Sequence, residues 1–163
     1  MKKNLIFFLP NFDSGGAGNS ILNICKHLNK KKYNIYVISL KKNFYKKELM
    51  KYCCEVKEID HSKTLFSLFE LEGYFQNFDK RQTLIISNIN YANALFVIFF
   101  KIIYKYKIAV IERTPYQELN IYYGIKDFFK KLIIKAIIKT FYKKADILIA
   151  NSKKTAKDFE KII

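Results

Sequence analysis

Gly15, Gly16 and Gly18 fall within four residues of a 163-residue chain that holds five glycines in all. They stand in LPNFDSGGAGNSILNI (Leu9 to Ile24), between an apolar run and a segment of helical period. A bare backbone opens angles closed to other residues and lets a ligand come close to the peptide groups. A helix beginning just beyond it turns unpaired N–H groups and the positive end of its dipole toward the same space. An anion such as a phosphate is stabilised there. The spacing fits neither common phosphate loop. No Lys-Ser or Lys-Thr follows, as GxxxxGK[ST] requires, and GxGxxG, met by Gly16 and Gly18, fails at Ile21. The next apolar run ends in Ser39 and Leu40 rather than in an acidic residue, so a dinucleotide cofactor is not expected. By spacing alone, a tight strand-to-helix turn without a ligand remains open.

Other polar side chains cluster just past apolar runs. Asn88 and Asn90, in NINYAN, either face a ligand or cap a following helix. Glu112 and Arg113 stand in IERTP, and Arg113 is one of two arginines, with Arg81, in a lysine-dominated chain. A planar guanidinium suits a phosphate or an acceptor hydroxyl; pairing with Glu112 or Glu118 on the surface is the competing role. Asn151 and Ser152 follow the last apolar run and fit a helix cap. His27 falls inside a helical segment and His61 in a loop, both in structural or solvated positions. No His, Cys and carboxylate cluster has metal-ligand spacing, so no bound metal is expected.

The elements that must carry these residues alternate. Short β-branched or aromatic runs (4–9, 34–40, 54–59, 83–87, 108–112 and 146–150) are separated by helical segments near 19–29, 44–52, 64–78, 92–104, 121–144 and 153–162. Six such alternations predict an α/β, Rossmann-like, doubly wound and mainly parallel sheet flanked by helices. Right-handed crossovers then bring the loops NFDSGGAG, NINYAN, RTPYQEL and NSKK to the carboxyl edge, where such folds place ligands.

The net charge of +16 is almost wholly lysine, scattered beside many Asn, Ile and Tyr. That scatter argues against a nucleic-acid partner, which concentrates arginine for bidentate contacts, and leaves an anionic membrane surface as a fitting one. The odd set Cys25, Cys53 and Cys54 points to a reducing, cytoplasmic setting. The apolar run LIFFLP is too short for a signal peptide, and ALFVIFF falls far below the ~20 residues of a membrane span. In the segment 120–145, Ile125, Phe128, Phe129, Leu132 and Ala136 share one helical face, with Ile134, Ile137, Ile138 and Phe141 opposite. Lys131, Lys135 and Lys139 follow one boundary and Lys126 and Lys130 the other, so one face packs on the sheet and the second needs a helix, a subunit or an anionic membrane.

LPNFDSGGAGNSILNICKHLNKKKYNIYVISL and, near the other end, YKKADILIANSKKTAKDFEKI resemble the first strand-helix-strand unit and the ADxxIAxS segment of family 4 glycosyltransferases of the GT-B fold. The resemblance runs in order through the chain and implies the amino-terminal, acceptor-side domain (1–163) of a retaining enzyme, with the donor-binding carboxyl-terminal domain absent. It implies a nucleotide-sugar as substrate rather than any cofactor, a glycan or lipid-linked acceptor, and a role in envelope or surface polysaccharide synthesis. Location would be cytoplasmic, with peripheral attachment to the inner face of the cell membrane as the form that a lipid-linked acceptor implies. Gly15 and Gly16 match the family's glycine pair, which approaches the donor phosphates; Asn88, Asn90, Glu112 and Arg113 match polar positions of the cleft. The family's frequent histidine after the fifth strand is missing here, which leaves the catalytic residue unknown. The rival readings are a non-catalytic Rossmann-like module that binds a nucleotide or a protein, and a basic peripheral membrane-binding domain.

Overall fold

The structure is a computed structural model that describes residues 2–162. Six parallel strands, β1 (Lys3–Phe8), β2 (Tyr33–Ser39), β3 (Glu55–Glu58), β4 (Thr83–Asn88), β5 (Lys107–Glu112) and β6 (Ile147–Ala150), order as β3-β2-β1-β4-β5-β6, and the chain divides into two compact units, Met1–Ile86 and Ser87–Ile163. The expected doubly wound, Rossmann-like class is the one observed.

The first unit holds β1 (Lys3–Phe8), α1 (Gly16–His27), β2 (Tyr33–Ser39), α2 (Lys46–Leu49), β3 (Glu55–Glu58), α3 (Thr64–Phe75) and the start of β4 (Thr83–Asn88). β1 pairs with β2 from Lys3↔Tyr33 to Phe8↔Ile38, and β2 with β3 from Tyr36↔Glu55 to Ser39↔Glu58. Helices cover both faces of a parallel sheet, so its central strands are apolar on consecutive residues: Ile6, Phe7, Phe8 and Leu9 are all buried, as are Val37 and Ile38. α1 buries Ile21, Leu22 and Cys25. At the other end of these strands a polar ladder ties neighbours, Asn34 Nδ2 donating to Asn4 Oδ1 (3.1 Å) and Asn4 Nδ2 to Thr83 Oγ1 (3.2 Å). α2 is a single turn where a longer helix is expected over 44–52. Local side-chain bonds replace helical ones there: Asn43 Oδ1 accepts from Tyr45 N (2.9 Å) and Glu58 Oε1 from Asn43 N (2.7 Å).

The second unit holds the end of β4, α4 (Asn90–Phe96), a π-helical stretch (Val97–Ile103), β5 (Lys107–Glu112), a 3-10 turn (Tyr116–Asn120), α5 (Ile125–Phe141), a second 3-10 turn (Tyr142–Lys144), β6 (Ile147–Ala150) and α6 (Lys153–Glu160). The wider π turns run through the crowded VIFFKII segment, where the Phe99 and Phe100 rings meet edge to face at 5.2 Å. α5 begins at Ile125 rather than at the expected Ile121, because Gly124 takes φ +135°, open to glycine alone, and breaks the helical path. Of its two expected apolar faces, one is packed: Ile134 and Ile138 are buried. No helix among the described residues is long and apolar enough to cross a membrane.

Candidate functional site

In the first unit the β1–α1 turn is held from below by Asp13. Its Oδ1 accepts from Gly15 N at 2.9 Å and its Oδ2 from Asn11 Nδ2 at 3.2 Å. The three glycines serve different ends. A Cβ on Gly15 would lie 2.7 Å from Asp13 Oδ1, and one on Gly18 would lie 2.8 Å from the Tyr45 ring and 3.1 Å from Asp13 O. Gly18 is therefore bare for packing within the chain, whereas at Gly15 only the end of the exposed Asp13 side chain would have to move. A Cβ on Gly16 would meet nothing within 4 Å, so the space above it is open. Glycine permits unusual backbone angles, but Gly15 has φ −75°, and among the described residues Gly124 is the only glycine with positive φ. What the turn uses is absence of bulk.

α1 starts at Gly16, three residues earlier than its period suggests, and no side chain caps it. The N–H groups of Gly16, Ala17 and Gly18 find no partner among the described residues, and Gly15 and Gly16 are exposed. A bare helix start with unpaired donors and no overlying side chain can receive an anion.

The second unit assembles a buried polar cluster at the end of β5. Glu112 is fully buried. Its Oε1 accepts from Tyr142 Oη (2.5 Å) and from Asn93 Nδ2 (2.8 Å), which also donates to Ile111 O (2.9 Å). Burial pushes the carboxyl up to about 7 against the lowering effect of those two donors. The Tyr142 phenol is held well above its ordinary range by burial first and then by the charge of Glu112. Glu112 Oε2, Asn93 Oδ1 and Arg113 Nε are buried without a hydrogen-bond partner among the described residues.

Arg113 forms neither of the competing surface pairs, with Glu112 or with Glu118, among the described residues. It donates instead from a terminal nitrogen to the buried Asn88 Oδ1 at 3.1 Å, and burial lowers its pKa. Asn88 is therefore not a helix cap. The N-cap of α4 is Ile89, which has φ 79° and ψ 129°, a strained conformation for a β-branched residue, between two of the polar residues singled out above. Asn90 is half-buried at the first position of α4, and its carbonyl accepts from Tyr142 Oη at 3.2 Å. Ser152 caps α6 as expected, its Oγ accepting from Thr155 N at 3.0 Å. His27 bonds to Asn23 O and His61 to Glu70, both in exposed pairs. Sequence reasoning missed Tyr142 and Asn93; the available signal was an asparagine within the apolar ANALFVIFF run.

The outer face of α5 is uncovered: Ile125 is 78% exposed and Ile133 60%, beside Phe129 and Leu132. Lys131 and Lys135 lean back onto the preceding segment. Lys131 pairs with Asp127 (2.8 Å) and donates to Ile121 O (2.5 Å), and Lys135 donates to Asn120 Oδ1 (2.6 Å) and Tyr122 Oη (2.7 Å). Lys139 is exposed.

A family model described as Glycosyltransferase Family 4 matches residues 14–162. The chain belongs to glycosyltransferase family 4. The match begins one residue before the glycine pair and runs through α6, so both polar sites lie inside the family domain. Among solved structures, this family 4 chain is similar to Anabaena Alr3699/HepE in complex with UDP and glucose, at 15% identity and a TM-score of 0.67 over 98% of this chain and 41% of that one. It is also similar to the same Anabaena protein in complex with UDP, at 16% identity and a TM-score of 0.68 over 98% and 40%. The chain thus spans about two-fifths of the length of those structures. No curated protein matches it. No group of three or more His, Cys, Asp or Glu able to hold a metal ion occurs among the described residues.

Proposed function

We propose that this family 4 chain is the acceptor-side half of a retaining glycosyltransferase that moves a hexose from a nucleotide-sugar, without a bound metal, to a glycan or lipid-linked acceptor of the cell envelope. The observation that carries this reading is the start of α1. The N–H groups of its first turn have no partner among the described residues and Gly16 is exposed with open space beside it; there they would stabilise the diphosphate charge that grows as the donor bond breaks. The Anabaena structure with UDP and glucose makes a uridine diphosphate sugar the first donor to try. The donor's nucleoside would be held mainly by a separate carboxyl-terminal lobe.

The work of this chain's residues follows from their places. Gly16 admits the phosphates, and Asp13 holds the turn in shape through Gly15 N. Arg113, oriented by Asn88, presents its remaining N–H groups to a phosphate or an acceptor hydroxyl. Glu112, Asn93 and Tyr142 fix the end of β5 beneath it, and Asn90 enters through its carbonyl. The exposed α5 face, rimmed by Lys126, Lys130 and Lys139, fits the headgroup layer of an anionic membrane. Three free cysteines suit the cytoplasmic side of that membrane.

The test is transfer of labelled hexose from a panel of uridine, guanosine and adenosine diphosphate sugars by the full-length protein, with membrane extract as acceptor. One donor should be consumed with the anomeric configuration retained in the product. Failure of every donor to be bound or consumed would refute the reading and favour a non-catalytic module.

A further inference from the structure

Three thiols gather at the amino edge of the first unit's sheet, the edge opposite the glycine turn. Cys25 lies in the last turn of α1 and is fully buried. Cys53 is half-buried in the turn that follows α2, and Cys54, next to it, is exposed just before β3. Backbone bonds fix that turn: Cys53 N donates to Leu49 O at 3.0 Å and Cys54 N to Ile35 O at 2.7 Å. Cys53 and Cys54 open onto a cavity of about 240 Å³ whose other walls are Lys2, Lys30, Lys51 and Tyr52 with the start of β2.

Cys25 and Cys53 meet across the gap between α1 and this turn, the Cys25 S–H donating to Cys53 Sγ. That hydrogen bond, and then burial, push the Cys25 thiol up. The same bond holds the Cys53 thiol below its ordinary range, against burial and with help from the charge of Lys30. Lys30 sits 4.7 Å from the centre of the Tyr52 ring, and Lys26 of α1 pairs with Glu48 of α2 at 2.8 Å, so helix, turn and cation are held in one arrangement. A buried cysteine by itself is a small apolar side chain. Here one thiol keeps its proton and donates it to a neighbour, and an open cavity with three ammonium groups leads to that neighbour. Thiolate character combined with access is what makes a cysteine nucleophilic.

We propose that Cys53 is a site of oxidative modification: a peroxide entering the cavity oxidises it to a sulfenic acid, which Cys25 then converts to a Cys25–Cys53 disulfide. In the first step the Cys53 thiolate attacks one peroxide oxygen and the O–O bond breaks. The hydroxide that leaves takes up the proton Cys53 had released and becomes water. In the second step the Cys25 sulfur attacks Cys53 Sγ, the S–OH bond breaks, and the departing hydroxide accepts the Cys25 proton as a second water. Two thiols are oxidised and one peroxide is reduced. In a reducing compartment such a bond is transient, formed under oxidant and reopened by cellular thiols. It would tie the end of α1 to the turn after α2. Cys54, exposed on the same cavity but outside the Cys25 hydrogen bond, is the internal comparison.

The experiment exposes the reduced full-length protein, freed of reductant, to hydrogen peroxide, then blocks remaining thiols by alkylation and reads the unreduced digest by mass spectrometry. Peptides joined through Cys25 and Cys53 should appear in wild type and persist in Cys54→Ser. The Cys53 thiol should be lost at least about tenfold faster than that of Cys54. Lys30→Gln should slow its loss at least about threefold and leave Cys54 unchanged. In Cys25→Ala the reaction should halt one step earlier, as a Cys53 sulfenic acid trapped by dimedone. In urea the preference for Cys53 over Cys54 should vanish, since it comes from the fold. Faster loss of Cys54, a disulfide joining two chains through Cys54, or no Cys25–Cys53 link in folded wild type and Cys54→Ser would overturn the proposal. The last comparison stands even if Cys25→Ala fails to fold.

Discussion

Replacing Glu112 by Gln should make the protein more stable above neutral pH and change its stability little in acid. The side chain is fully buried, with two donors on one oxygen and none on the other. Burial raises its pKa from 4.5 to about 7. Between these values the folded chain keeps a proton that the unfolded chain has released. The native state then binds more protons, and stability falls as pH rises through that window. At about 1.4 kcal/mol per pKa unit, the full shift corresponds to roughly 3 kcal/mol lost by pH 8 relative to pH 4.5. Glutamine keeps an oxygen for Tyr142 and Asn93 but cannot ionise. Urea unfolding of both proteins from pH 4.5 to 8.5 reads the effect as the difference between the two curves. Glu58 and Asp127, whose pKa values are lowered by Lys46 and Lys131, lose stability in the opposite direction, as pH falls; they are common to both proteins and cancel. The variant's advantage should grow to about 3 kcal/mol by pH 8, roughly 6–12 °C in Tm for a chain of this size. A difference that stays flat with pH would refute the reasoning.

Gly18→Ala should cost about 1–3 kcal/mol, because its Cβ meets both a ring and a carbonyl; unfolding at fixed pH checks this, and an unchanged midpoint would count against tight packing there. Ile89→Gly should gain about 1 kcal/mol by relieving the positive φ at an exposed side chain, read as a raised urea midpoint; a lowered one would show that the Ile side chain matters more than the strain. Phe129→Asp with Ile133→Asp on α5 should abolish sedimentation with anionic vesicles without lowering Tm, since both residues lie on the uncovered face. Undiminished sedimentation would locate any membrane contact elsewhere.

All six strands were legible in the sequence to within a residue or two; the central ones, buried on both faces, leave continuous apolar runs, while the edge strand β3 (EVKE) was placed by its position in the alternation. Helix ends were less so. α1 begins at Gly16, where period alone gives no signal, and α5 begins after Gly124, whose role lies in a backbone angle. The glycine turn was found from residue types, but its division of labour was not: Gly15 and Gly18 answer to Asp13 and Tyr45, and only Gly16 faces open space. Arg113 was singled out for its rarity. Its partner Asn88 lies 25 residues away, and Glu112 meets Tyr142 at a separation of 30. Such pairings depend on which strands and helices become neighbours, which no local pattern encodes.

The claim on which the functional account turns is that the open start of α1 receives the donor's phosphates. The most direct measurement is kcat/KM for the accepted nucleotide-sugar in the full-length protein and in Gly16→Val, with Tm recorded for both. Loss of at least about a hundredfold in kcat/KM at unchanged Tm is the predicted result. Equal kcat/KM in two equally stable proteins would contradict it.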